Sequence, residues 1–137
     1  MRASCKLASA ILERLSAMLC PGITTKDVDH TGAKLMAEAG CRSAFLGYRR
    51  FPGHICISVN DEVVHGIGGS RRIQYGDVVK LDIGVVLDGF VGDTAATIPI
   101  GLVSDDVQRL LSVTEDALSK GIENAREGRR LDRKSVV

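Results

Sequence analysis

The hydrophobic positions of the first forty residues repeat at helical spacing. Between residues 7 and 19 they form one apolar stripe, which predicts an amphipathic helix that ends at Pro21-Gly22. Thr24 and Asp27 have the spacing of a capping box, so a second helix is predicted to start there and to end near Gly40. Two helices joined by so short a loop are expected to pack together.

Strand patterns replace the helical spacing after the second helix. The β-branched run at residues 55–59 predicts a strand, and the glycine-rich segment 65–69 predicts a loop. Two alternating runs between Val78 and Ile100 flank Asp88-Gly89, which is a favoured sequence for a two-residue hairpin turn. The middle of the chain is therefore predicted to form an antiparallel sheet.

A third helix is predicted to follow Ser104 as N-cap, because apolar residues return at helical spacing from Val107 to Ile122. The 137 residues, of which 45% are hydrophobic and 26% charged, indicate one soluble globular domain, and no linker or repeat divides them. With 18 Lys+Arg against 17 Asp+Glu, the net charge of +1 favours neither a specific nucleic acid nor a membrane as partner.

The four cysteines favour a reducing, cytoplasmic location. Cys5, Cys20, Cys41 and Cys56 form no C-x-x-C pair, and no secretory segment precedes them. Charged residues interrupt the apolar N-terminal stretch, which excludes both a signal peptide and a membrane span there.

The Asp88-Gly89 turn determines which residues of the predicted hairpin face each other. Counted outward from the turn, Gly84 lies opposite Asp93, and Asp82 lies opposite Ala95. Asp82 and Asp93 then project from the same side as diagonal neighbours, roughly 7 to 8 Å apart. The alternate residues of the first strand are all apolar and predict a core on the other side: Val79, Leu81, Ile83, Val85 and Leu87.

The facing carboxylates have two interpretations. Two anions held close need a compensating cation, or one of them must bind a proton at a raised pKa. Carboxylates suit Mg, Mn, Fe or Co, and paired ions about 3.5 to 4 Å apart can activate water and polarise a carbonyl. The small Gly84 and Ala95 are expected to leave room for an ion and its substrate. Alternatively, both aspartates are solvated residues on an open sheet face, although Asp is depleted in strands.

His65 lies between Val64 and the glycine-rich loop, where its imidazole could reach a reaction centre as a hydrogen-bond donor, a base or a ligand. An ordinary loop histidine is the other interpretation. His30 and His54 have no partner that the sequence identifies.

Four ordered segments resemble type I methionine aminopeptidases. They are FPGHICISVN at residues 51–60, EVVHGI at 62–67, GDVV at 76–79 and DGFVGDT at 88–94. The flanking stretches Gly22-Ile23-Thr24-Thr25 and Gly121 to Leu131 also look like the family, so the resemblance covers almost the whole chain.

The resemblance implies a pita-bread α/β fold, of which half is present as an antiparallel sheet with helices on one face. It implies two divalent metal ions (Co, Mn, Fe or Zn) and removal of the N-terminal methionine from nascent polypeptides. Asp82 and Asp93 match the aspartate ligands, with Asp93 bridging both ions. His65 matches a catalytic histidine that contacts the substrate near the scissile bond. Cys56 matches a substrate-binding residue near the methionine pocket, although a plain core position fits it equally well.

By the same resemblance, residues 1–131 are the N-terminal half of a catalytic domain, and residues 132–137 are a divergent tail. The family's other ligands, a histidine and two glutamates, belong to a later half, so a truncated chain is expected. Half of such a domain would expose apolar surface and would tend to self-associate. Basic residues near the C-terminus would attract ribosomal RNA or would serve only the helix end: Arg126, Arg129, Arg130, Arg133 and Lys134.

Two alternative functions stay open at this point. One is a non-catalytic binding module that keeps the pita-bread scaffold, which the missing ligands favour and the intact Asp82, Asp93 and His65 oppose. The other is a proline-specific peptidase of the same fold, which the segment at residues 88–94 fits less well.

Overall fold

The structure is a computed structural model that describes residues 1–129. The chain divides into two units, Met1–Leu102 and a second that begins at Val103. The predicted tail at 132–137 lies outside the described residues, as do Arg130 and Leu131. The helices are α1 (Arg2–Met18), α2 (Thr25–Glu38) and α3 (Asp105–Asn124), and the strands are β1 (Arg42–Ser43), β2 (Cys56–Val59), β3 (Val78–Leu87) and β4 (Phe90–Pro99).

The two predicted N-terminal helices are confirmed. α1 begins several residues before the apolar stripe, and Ser4 Oγ donates a hydrogen bond of 2.7 Å to the Met1 carbonyl in its first turn. α2 has the predicted capping box: Asp27 N–H donates to Thr24 Oγ1 at 3.1 Å, and Thr24 N–H donates to the Asp27 carboxylate at 3.2 Å. The capping box thereby satisfies the backbone N–H groups of Thr24 and Asp27.

β3 is the central strand of an antiparallel sheet. β1 and β2 pair with one of its edges, and β4 pairs with the other. Asp88 and Gly89 form the predicted turn at positive φ values of 50° and 79°, as the mirror-image hairpin turns require. The predicted register is also confirmed, with Gly84 opposite Asp93 and Asp82 opposite Ala95.

The core lies between one face of the sheet and the two helices. Four alternate residues of β3 are fully buried there, namely Val79, Leu81, Ile83 and Val85. Leu15 of α1 and Val28 of α2 join the same apolar cluster. Where α1 crosses β4, a Cβ on Gly92 would overlap the backbone of Ser4, so only glycine allows this approach. Both helices cover the same face of the sheet, and they leave the face that bears Asp82 uncovered.

α3 belongs to the second unit and begins where the sequence predicts. Ser104 Oγ accepts a hydrogen bond from Val107 N–H at 3.4 Å, and Asp105 and Asp106 occupy the first turn. None of the residues of α3 is buried. Among residues 1–129, no helix combines the length and the apolar character needed to cross a membrane.

Candidate active site

A cavity of about 560 Å³ opens on the sheet face that α1 and α2 leave uncovered. All four residues singled out in the sequence line it: Cys56, His65, Asp82 and Asp93. Residues of the segment 45–52 and Ile67 form the rest of its wall. The volume is in the usual range for a small-molecule or peptide-end site. The fold therefore brings together residues that lie up to 37 positions apart in the chain.

Asp82 lies in an unfavourable electrostatic environment. Burial raises its pKa, the neighbouring Asp93 carboxylate raises it further, and His65 partly opposes both. Its Oδ1 is buried and accepts no hydrogen bond from any residue of the described chain. An acceptor in this state costs free energy unless a cation or a proton reaches it. The Asp82–Asp93 pair is therefore chemically suited to a divalent cation.

The described residues do not form a complete metal site by themselves. Within residues 1–129, no cluster of three or more His, Cys, Asp or Glu side chains is placed to hold a metal ion. Two carboxylates leave the other coordination positions of a divalent ion to water or to further donors.

Cys56 faces the same cavity because it pairs with Asp82 across β2 and β3. Burial raises the pKa of its thiol to about 11, and the carboxylates of Asp82, Asp93 and Asp29 add to the effect. The side chain is thus a neutral thiol at physiological pH. It suits a soft apolar wall better than a thiolate ligand.

His65 is held by its neighbour Gly66 in an unusual backbone conformation. Its φ of 58° is rare for a residue with a side chain. Gly66 N–H donates to Ser58 Oγ at 3.0 Å, and the Gly66 carbonyl accepts from Ile57 N–H at 2.9 Å. A Cβ on Gly66 would overlap the carbonyl oxygen of Ile57. The predicted glycine-rich loop is therefore attached to β2 directly after His65.

The residues predicted from the sequence do not include Asp29, which supports this region from α2. Its Oδ1 accepts hydrogen bonds from the N–H groups of His54, at 2.7 Å, and Ile55, at 3.0 Å. Its Oδ2 lies 3.3 Å from His54 Nδ1, which gives His54 the partner that the sequence did not identify. The sequence did contain a signal for Asp29. It lies next to Val28 on the apolar stripe of the predicted helix, where a charged residue is rare unless it has a partner.

α2 also supports the loop that follows His65. Thr25 Oγ1 accepts a hydrogen bond from Gly69 N–H at 2.9 Å, and Lys26 N–H donates to the Gly69 carbonyl at 2.9 Å. One helix therefore positions both the entry to β2 and the far end of the His65 loop.

The space expected above Gly84 is not open. A Cβ on Gly84 would collide with ring carbons of Phe45, because that aromatic ring packs directly over the glycine. Phe45 also lines the cavity. The ring of Phe45 therefore fills the space that the absent side chain at Gly84 leaves. Ala95, by contrast, is exposed.

Comparison with known proteins assigns the family. The sequence matches metallopeptidase family M24 over residues 1–134. The chain belongs to metallopeptidase family M24. Methionine aminopeptidase 1 of Bacillus subtilis is 44% identical over 131 residues, which are 96% of this chain and 53% of that protein. The methionine aminopeptidase of Borreliella burgdorferi is 42% identical over 130 residues, which are 95% and 52% of the two chains.

The solved structures agree with this assignment. The crystal structure of methionine aminopeptidase from Rickettsia prowazekii matches this M24 chain with a TM-score of 0.85 at 36% identity, covering 88% of this chain and 49% of that one. The pita-bread fold implied by the resemblance is confirmed. M24 metallopeptidases use divalent metals. The chain spans about half the length of the curated relatives it matches.

Proposed function

We propose that this M24 chain supplies one half of a methionine aminopeptidase active site, and that the completed site removes the N-terminal methionine from nascent polypeptides in the cytoplasm. The observation that carries the proposal is the buried, unpartnered oxygen of Asp82 beside Asp93. It lies in a cavity that also holds His65 and Cys56. The methionine aminopeptidases among the relatives support the same activity.

Asp82 and Asp93 are the residues that would hold two divalent ions, drawn from Co, Mn, Fe or Zn. Bound metal supplies Lewis acidity, which polarises the scissile carbonyl and activates water. The exposed Asp93 and the half-buried Asp82 would each contribute carboxylate oxygens to these ions. The remaining ligands come from outside the described residues.

The substrate would be oriented by residues of this chain. His65 donates a hydrogen bond to the peptide near the scissile bond, from a backbone that Gly66 and Ser58 hold in place. Cys56 provides a soft, uncharged surface for the thioether of methionine, and Ile67 adds to the apolar wall. These contacts favour an unbranched apolar side chain at the first position of the peptide.

A non-catalytic binding module is not favoured, because the curated relatives of this chain are enzymes named methionine aminopeptidases. A proline-specific peptidase is not favoured, because the curated relatives at 36–44% identity are methionine aminopeptidases.

The proposed partners are the N-termini of nascent chains and the ribosome that presents them. Arg126 and Arg129 are exposed and are suited to a loose attraction to ribosomal RNA. The other basic residues of that prediction, Arg130, Arg133 and Lys134, lie outside the described residues. Self-association is proposed because α3 exposes apolar side chains such as Leu110 and Ile122.

The test is calorimetric titration of Mn(II) into the chain, with hydrolysis of a Met-Ala-Ser peptide followed in the same samples. Weak Mn(II) binding is expected, because two carboxylates complete only part of a coordination shell. Asp93→Ala should abolish it, whereas Asp116→Ala, on an exposed position of α3, should leave it unchanged. Binding that survives Asp93→Ala would contradict the proposed site. Hydrolysis by the chain alone would show that its own residues, in one copy or in two, complete the site.

A further inference from the structure

The wall of the cavity includes two arginines that the proposed chemistry does not use. Arg49 and Arg50 line the same cavity as Asp82 and Asp93, and both are exposed. Within residues 1–129, the ion pairs formed by Arg, Lys or His involve neither of them. The described residues therefore leave two positive charges without a carboxylate partner beside a site proposed to receive a peptide.

The backbone holds these arginines in a rare conformation. Arg49 has a φ of 48° and Arg50 a φ of 67°, and two consecutive side-chain-bearing residues at positive φ are uncommon. Backbone hydrogen bonds close the turn: Gly47 N–H donates to the Phe51 carbonyl at 2.9 Å, and Phe51 N–H donates to the Tyr48 carbonyl at 2.9 Å. Such strain persists where the surrounding structure imposes it, commonly at ligand-binding sites.

One of the two guanidinium groups is also oriented by an aromatic ring. The Arg49 guanidinium carbon lies 5.6 Å from the centroid of the Tyr48 ring, within the range of a cation–π contact. Arg49 is thus partly ordered before any ligand binds. A guanidinium group that is already oriented binds a carboxylate at a lower entropic cost, often through two parallel hydrogen bonds.

The charges of the cavity favour an anionic group near the two arginines. If Asp82 and Asp93 held the proposed divalent ions, their negative charge would be compensated, and the two arginines would add uncompensated positive charge to the cavity wall. A peptide whose first residue occupies the cavity directs its next residues toward solvent, and Arg49 and Arg50 are lining residues exposed to solvent. The side chains of those next peptide residues therefore come within reach of Arg49 and Arg50.

We propose that Arg49 and Arg50 form a recognition site for the carboxylate of an aspartate or glutamate that closely follows the N-terminal methionine. The inference rests on the proposed function in taking a peptide N-terminus as the ligand. It adds that the chain binds peptides with an acidic residue near the N-terminal methionine more tightly than other peptides.

The test compares the affinity of the full chain, in the presence of Mn(II), for three C-terminally labelled peptides by fluorescence anisotropy. The peptides are Met-Ala-Asp-Glu-Gly, Met-Ala-Asn-Gln-Gly and Met-Ala-Lys-Lys-Gly. The acidic peptide is expected to bind about five-fold more tightly than the amide peptide at low salt, and the lysine peptide most weakly. The preference should shrink in about 0.5 M NaCl, because exposed charges are screened.

The variants separate charge from fold. Arg49→Gln combined with Arg50→Gly removes both charges, and the glycine keeps a residue that accepts positive φ. This variant should bind the acidic and amide peptides equally. Arg14→Gln, at an exposed position of α1, should retain the five-fold preference.

Three outcomes would overturn the inference. In the first, the double variant still prefers the acidic peptide. In the second, the acidic peptide does not bind up to millimolar concentration. In the third, a ten-nucleotide oligouridine binds more tightly than the acidic peptide through the same arginines. Failure of the proposed function can be distinguished from failure of this inference. If Mn(II) does not bind but the acidic preference still depends on the arginines, only the metal site is refuted. If Mn(II) binds but the acidic preference is absent, only the inference is refuted.

Discussion

Two aspartates, one just before β3 and one within it, lie five residues apart in opposite surroundings. Asp77 is buried and accepts hydrogen bonds from Gln74 N–H at 2.9 Å, from Asn60 Nδ2 at 2.8 Å and from Arg71 at 3.1 Å. Burial alone would raise its pKa, but these donors outweigh burial and lower it. Asp82 has a raised pKa, and its buried Oδ1 has no donor within residues 1–129.

The difference separates a carboxylate that stabilises the fold from one for which we propose a function. A buried carboxylate with a complete set of donors stabilises the fold in its charged form. A carboxylate that lacks donors and lies near a second carboxylate destabilises the fold until a cation or a proton arrives, and such groups concentrate at functional sites. The two positions therefore predict opposite responses to the same kind of substitution.

The largest effect is expected from Asp77→Ala. It leaves the Arg71 and Asn60 groups without their acceptor, and hydrogen bonds to charged groups contribute about 1.5 to 3 kcal/mol each. The free energy of unfolding in urea should fall by about 2 to 3 kcal/mol. Asp61→Ala, at an exposed position in the neighbouring turn, is the control and should change it by less than about 0.5 kcal/mol. Equal losses for the two variants would remove the distinction.

Gly66→Ala tests whether the close backbone contact between Gly66 and Ile57 positions His65 beside Asp82 and Asp93. The added Cβ must displace the backbone of Ile57, so we expect a loss of about 1 to 3 kcal/mol and a shift of the His65 imidazole resonances. Gly69→Ala is the matched control, because a Cβ there meets only the Ile67 carbonyl oxygen, at 3.9 Å. Unchanged His65 resonances in Gly66→Ala would show that the loop is positioned by other contacts.

Asp82→Asn should have the opposite sign. It replaces a desolvated charge close to Asp93 with a neutral side chain of the same shape, so the metal-free chain should gain about 0.5 to 2 kcal/mol, the usual range for relief of a functional-site cost. Mn(II) binding should be lost at the same time. A higher melting temperature in EDTA together with lost Mn(II) heats would establish both effects. A lower melting temperature would mean that Asp82 contributes to the fold as Asp77 does.

The smallest effect is the pH dependence that Asp77 contributes. Because its folded-state pKa lies below the unfolded value of about 3.9, its charged form stabilises the fold above that pH. This contribution is lost as pH falls through the lowered pKa. Thermal melts between pH 7 and pH 3 should therefore fall less steeply for Asp77→Asn than for the unchanged chain. Parallel curves would contradict the assignment of a lowered pKa.

Local pattern was sufficient for much of this protein. The N-caps at Thr24 and Ser104 were predicted correctly, as was the two-residue turn at Asp88-Gly89. The convergence of Asp82 and Asp93 followed from that turn, because a hairpin register is determined by neighbouring residues and by the two-residue period of a strand. The family also followed from short ordered segments, and the match to metallopeptidase family M24 confirms it.

Only the tertiary structure decided how the site is supported. Asp29 reaches the backbone 25 residues later, and Thr25 reaches Gly69 across 44 residues, so neither contact has a local signature. The ring of Phe45 over Gly84 and the positive φ values of Arg49 and Arg50 likewise depend on surroundings that sequence spacing does not encode. Periodicity determines which face of an element is apolar. Packing determines which distant groups then meet on the polar face. Because packing is the sum of many non-local contacts, local sequence patterns do not predict it.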